Sequence, residues 1–176
     1  MKLIKSLLAV TGLTALAGCL EDDARIAQQF DFGNYSPTFF NADGGIPVVI
    51  HNSPSANMDA NQIVPLLHVP NGFRADMVWN YLPPGTRSNA VRQHVVLVFN
   101  WSDTPDPSRA CVANSTLPSK GYYQEGYTAF MVVCRGSTPL KGANMVVNEI
   151  DPNNPDDINR TMKHLILNLK LDRESK

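Results

Sequence analysis

Between Leu7 and Ala17 the chain carries no charge, and Lys2 and Lys5 stand just ahead of that run. A basic start followed by a short apolar stretch is the layout of an export leader. The stretch is only about a dozen residues, short of the roughly 20 that a permanent helical span needs, so it is read as removed rather than retained. This constrains everything downstream. Residues 1–18 drop out of the folded domain, about 160 residues remain for a single domain, and the other cysteines belong to an oxidising compartment. Charge excludes one class of partner. Losing Lys2 and Lys5 from 15 basic side chains set against 16 acidic ones leaves the mature chain modestly negative, which suits neither nucleic acid nor a polybasic contact with a membrane surface.

The apolar run ends in Leu16, Ala17, Gly18 and Cys19. A small residue before a cysteine, directly behind such a run, resembles the lipobox of bacterial lipoproteins. The resemblance implies cleavage before Cys19, lipid on its sulfur and normally three acyl chains, more than the two that suffice for stable anchoring. It places the protein in the cell envelope, on the periplasmic side. Leu20, where an Asp would act as a retention signal in the enteric pattern, implies passage to the outer membrane. With Cys19 lipidated, Cys111 and Cys134 are an even pair. A disulfide between them is the natural reading; two buried thiols or a metal pair are the alternatives. Closing a loop of about 24 residues would contribute roughly 3 kcal/mol on the chain-entropy model.

Residues 19–44 read as a tether and N-terminal linker, with Glu21, Asp22 and Asp23 followed by scattered aromatics from Phe30 to Phe40. A single domain is expected over 45–176. Ile46–His51 is a β-branched run ahead of the Asn52–Ser53–Pro54 turn and predicts a strand. Asp59 is a plausible helix cap, and Pro65 restricts the helix that follows to a short or kinked one. Phe73–Leu82 alternates apolar and polar residues up to Pro83–Pro84–Gly85, and Val91–Trp101 is apolar on both faces at its centre; both predict strands, the second a central one. Ser102–Ser108 (SDTPDPS) reads as irregular. Tyr122–Cys134 and Lys141–Ile150 are two more strands, joined by a hairpin at 135–140. In the last element Asn154 caps, Pro155 starts the helix, and Asp156 and Asp157 face its positive end. Ile158, Met162, Leu165, Ile166 and Leu169 line one face of that helix. The expected architecture is α+β, a mostly antiparallel sheet of four or five strands covered by a long C-terminal helix and a shorter early one.

Signatures of chemistry are sparse. His51, His68, His94 and His164 lie far apart, without the paired spacing that puts two ligands on one face; His94 and His164 read as packing or surface residues. The GxSxG, SxxK, GxGxxG and P-loop patterns are absent. The run Asp151–Asp157 (DPNNPDD) is rich in oxygen ligands but has Pro155 in its fifth position and Met162 where a bidentate Glu would stand, so it reads as a helix cap rather than a calcium loop. Trp79, Tyr81, Trp101, Tyr122, Tyr123 and Tyr127 offer material for a sugar-stacking or partner surface, though at strand spacing such rings pack in cores. No catalytic, cofactor-binding or metal-ligating set is assigned.

Four segments taken together, GIPVVIHNSP from Gly45, HVVLVFN from His94, MVVCRG from Met131 and the helix behind Pro155–Asp156–Asp157, resemble a group of uncharacterised proteobacterial envelope proteins. The likeness runs from about Gly45 to Leu171. Members carry one Cys after the VLVFN strand and another before Arg-Gly, which favours joining Cys111 to Cys134. Pro65 and the lipobox depart from the group pattern, and the resemblance implies no activity. The expected role is a non-enzymatic, outer-membrane-anchored interaction or assembly module, partnered by the membrane through Cys19 and by an envelope protein. The alternative is an envelope enzyme or small-ligand binder with a pocket that no motif reveals.

Overall fold

The computed structural model describes residues 24–32, 45–68, 78–85, 93–112 and 116–169. The leader, Cys19 and the greater part of 73–78 lie outside that set. Among the described residues six strands form one sheet: β1 (Ala24–Asp31), β2 (Ile46–His51), β3 (Trp79–Leu82), β4 (His94–Phe99), β5 (Tyr127–Arg135) and β6 (Thr138–Val147), in the order β1-β6-β5-β4-β2-β3. The β1–β6, β6–β5 and β5–β4 pairs are antiparallel, whereas β2 pairs in parallel with both β4 and β3. The class is α+β with a C-terminal helix, but the sheet is mixed and larger than the four or five mostly antiparallel strands expected.

Two physical reasons account for the difference. The stretch read as linker contributes β1, whose Arg25, Gln28 and Gln29 suit an edge strand, and whose alternation is broken by a bulge between Ile26 and Gln28. The parallel trio arises because β2, β3 and β4 are joined by crossovers rather than by tight hairpins. Parallel strands are covered on both faces and read as unbroken apolar runs, and β4 is buried at every position.

On one face Val48, Ile50, Leu97, Phe99, Met131 and Met145 pack against α3 (Pro155–Leu169), which buries Ile158, Met162, Leu165, Ile166 and Leu169. The α3 start is built as its residues dictate. Asn154 Oδ1 accepts from the Asp156 N–H at 3.0 Å, and Pro155 occupies the first turn, where no backbone donor is needed. The same face holds α1 (Ala60–Ile63), which Pro65 turns into a 3-10 segment, Val64–Leu66. Its capping box is complete: Gln62 N–H donates to Asp59 Oδ1 at 3.0 Å and Asp59 N–H to Gln62 Oε1 at 2.9 Å.

The opposite face is covered by a helix within the stretch expected to be irregular, α2 (Pro107–Val112). Asp106 Oδ1 accepts from the Ser108 and Arg109 N–H groups at 2.9 and 3.3 Å. Ala110, Cys111, Trp101 and Leu117 close this side over Val96, Val98, Phe130 and Val132. β5 and β6 turn through only two residues, Gly136 and Ser137, since Arg135 pairs with Thr138. A bulge beside Cys134 accommodates Pro139.

Candidate functional site

β2 and β4 are parallel neighbours whose chains leave in opposite directions. After β2 the chain passes through His51–Ser55 to α1 on the α3 face; after β4 it passes through Asn100 and Trp101 to α2 on the other. Such divergence at the carboxyl ends of adjacent parallel strands is where open α/β sheets form ligand crevices. Here polar side chains lace the two exits together. Asn52, with φ of 63°, donates from Nδ2 to the Phe99 carbonyl at 3.1 Å. Asn100, fully buried with φ of 47°, donates to the Ser53 and Pro54 carbonyls at 3.2 and 3.4 Å and accepts from the Thr128 N–H at 3.0 Å. Asparagine tolerates the left-handed region better than most side chains, and both residues convert that conformation into contacts between loops.

His51 sits at the same end, buried on the α2 face, where its Nδ1 accepts from the Leu117 N–H at 3.4 Å. Burial lowers its pKa from 6.5 to about 4, so the ring is neutral in the folded protein. Its Nε2 and the buried Ser55 hydroxyl have no hydrogen-bond partner among the described residues. His94, opposite Cys134 on β5, is also buried and pushed below its ordinary value by desolvation. His164 is half-buried on α3 and His68 is exposed. The structure thus brings His51 together with Ser53, Ser55 and Asn100, a grouping the sequence analysis did not single out. The signal was present: polar residues closing two largely apolar strands, HNSPS from the last residue of one and Asn100 directly after the other.

Cys111 and Cys134 are joined, with Cα atoms 5.7 Å apart, fastening the end of α2 to the end of β5. From there the chain returns toward His51 as a strap. Ser102 N–H donates to the Pro118 carbonyl at 3.1 Å, and Lys120 N–H to the Asn100 carbonyl at 2.7 Å. The six aromatics named above divide sharply. Trp79, Trp101 and Tyr127 are buried and Tyr81 is half-buried, while Tyr122 is 57% and Tyr123 42% exposed. Tyr127 packs edge-on against Phe99 and hydrogen-bonds Thr161, and burial pushes its phenol above the ordinary range. Arg109 pairs with Asp103 and lies 5.9 Å from the centre of the Trp101 ring.

In the Asp151–Asp157 run, Asp151 Oδ1 accepts from the Asn153 backbone at 2.8 Å and Asn154 caps α3. Among the described residues no group of three or more His, Cys, Asp or Glu side chains gathers in metal-binding geometry.

No family model and no curated protein matches the chain. Among solved structures, a PelC dodecamer from Paraburkholderia phytofirmans is 11% identical with a TM-score of 0.45, over 86% of this chain and 99% of that one. A single-substitution variant of the same dodecamer, in another space group, is 10% identical with a TM-score of 0.44, over 84% and 98%.

Proposed function

We propose that this protein is an envelope lipoprotein, exported, lipidated at Cys19 and held at the periplasmic face of the outer membrane, where its domain serves as a non-enzymatic interaction or assembly module. The observation that carries the reading is the buried Cys111–Cys134 bond, a cross-link that forms and persists where exported proteins fold. The treatment of the polar residues supports it further. Asn52 and Asn100 tie loops together, His51 is held neutral by burial, and burial pushes His94 below its ordinary value. The test is crosslinking in the native envelope with the lipidated chain as bait. One defined stoichiometric envelope protein, captured from the outer-membrane fraction and lost on Cys19→Ser, supports the module; a chain that fractionates as soluble with its leader removed refutes the anchor.

A second reading, an envelope enzyme or small-ligand binder, is favoured by His51 Nε2 and the Ser55 hydroxyl, two buried polar atoms without partners among the described residues, at the carboxyl end of β2 where it leaves β4. Cell-wall and lipopolysaccharide fragments would then raise the melting temperature of the wild type. His51→Asn and Ser55→Ala would abolish the rise, and no fragment would raise it if these residues only pack.

A further inference from the structure

We infer that the loop carrying Tyr122 and Tyr123 rests on the membrane that holds the anchor, its two phenol rings seated at the lipid headgroup level. The inference builds on lipidation at Cys19. Covalent geometry alone limits the span from Cys19 to Ala24 to about 18 Å, so the lipid surface lies within that reach of the start of β1. Ala24 pairs with Val147, and Val147 pairs with Tyr127. Ala24 and Tyr127 are therefore two strand spacings apart, about 10 Å. The sheet end nearest the anchor is thus the end that carries the start of β5.

The residues just before Tyr127 are the exposed ones. Gly126 N–H donates to the Ile150 carbonyl at 2.8 Å, and Lys120 N–H to the Asn100 carbonyl at 2.7 Å, so the loop is pinned at both feet. Gly121, with φ of 89°, turns the chain outward, and an added Cβ there would meet nothing within 4 Å. Tyr122 and Tyr123 follow it, exposed, on a loop fixed to the sheet. Tyrosine is favoured at a bilayer interface because its ring is apolar and its hydroxyl is wet. The hairpin at Gly136–Ser137 stands at the opposite end of β5, about 30 Å away along a nine-residue strand.

Charge separates a lipid surface from an anionic one. Glu125, Glu149 and Asp151 are exposed at the same end, with Lys120 on the loop and Arg25 and Arg160 nearby as cations, so the end carries no cationic excess. Acidic neighbours do not draw the loop to anionic headgroups, so the contact rests on the rings and should respond weakly to salt.

The test uses the mature chain purified from the envelope and reconstituted in phosphatidylethanolamine vesicles with brominated acyl chains. Tyr122→Trp and Ser137→Trp are each read against the wild type, whose own Trp79 and Trp101 are buried. Emission from position 122 should shift to the blue and be quenched by the brominated lipid, while position 137 stays unquenched. Absence of quenching at 122, or equal quenching at 137, overturns the orientation. Protection of position 122 from aqueous acrylamide in whole envelopes, without quenching by lipid, would assign the loop to a protein or glycan partner instead and also overturns it. The mass of the N-terminal peptide decides lipidation separately. Should Cys19 prove unmodified, a dipalmitoyl maleimide coupled to its thiol supplies the anchor, and the loop is judged by the same quenching.

Discussion

Asn100 is a residue at which conformation and contact are in tension, and its variants separate the two. Its positive φ disfavours any side chain with a Cβ, while its amide joins β4 to the Ser53–Pro54 turn and to β5. Asn100→Ala loses the bonds and keeps the strain, and should cost about 2–4 kcal/mol in urea unfolding. Asn100→Gly loses the same bonds but relieves the backbone, and should cost measurably less. If the two variants unfold together, the conformational part of the argument is wrong. His51 supplies the pH dependence. Its folded pKa, about 4, lies below the unfolded 6.5 because burial opposes the cation. The folded state therefore binds fewer protons, and this contribution is complete above pH 6.5 and is lost as the pH falls toward 4. The loss should reach about 2–3 kcal/mol. His51→Asn retains a hydrogen-bond acceptor without a titrating ring, and should flatten the stability profile across that window.

At the scale of elements, caps and helical periodicity marked α1 and α3, whereas strand alternation was a looser guide: the strand expected from Tyr122 begins only at Tyr127, and the stretch from Tyr122 to Gly126 is loop. Asn154–Pro155–Asp156–Asp157 announced α3, and the apolar spacing from Ile158 to Leu169 identified the face that meets the sheet. Met162→Ala, at a fully buried position on that face, should lower stability by about 2–5 kcal/mol, seen as a lower denaturant midpoint at unchanged slope. The same signature was present at α2, where Asp106 caps and Pro107 follows. It was overlooked because SDTPDPS also reads as a chain breaker and the helix is only six residues long. β1 was hidden for another reason: an edge strand with Gln28 and Gln29 exposed and a bulge in its middle has no clean period to detect. The central place of β4 was legible in its unbroken apolar run, but its parallel direction relative to β2 was not, and a mostly antiparallel sheet was expected. Nor was their pairing legible, because register between distant strands is a property of packing rather than of either segment. The polar residues of His51–Ser55 and Asn100 were in view in the sequence, but that the two loops meet depends on the same β2–β4 pairing.

For the whole molecule, the disulfide and the anchor make separate predictions. Cys134→Ala should cost on the order of 2–5 kcal/mol, and non-reducing mass spectrometry of the native protein should find Cys111 and Cys134 in one linked peptide pair with no alkylatable thiol at either position. Cys19→Ser should leave unprocessed or mislocalised precursor rather than mature protein in the outer membrane, as fractionation with N-terminal sequencing would show. The sheet order carries a further implication for biogenesis. Among the described residues, β1 has a single strand neighbour, and that neighbour is β6, the last strand in the sequence. Were the chain exported from its N-terminus, as proposed, β1 would stand outside the inner membrane long before Val147 arrived to pair with Ala24. On the proposed lipidation at Cys19, the residues around that position would meet the lipidating and cleaving enzymes while the first strand was still without its mate, and the sheet would be sealed beside the anchor only after nearly all of the polypeptide had crossed.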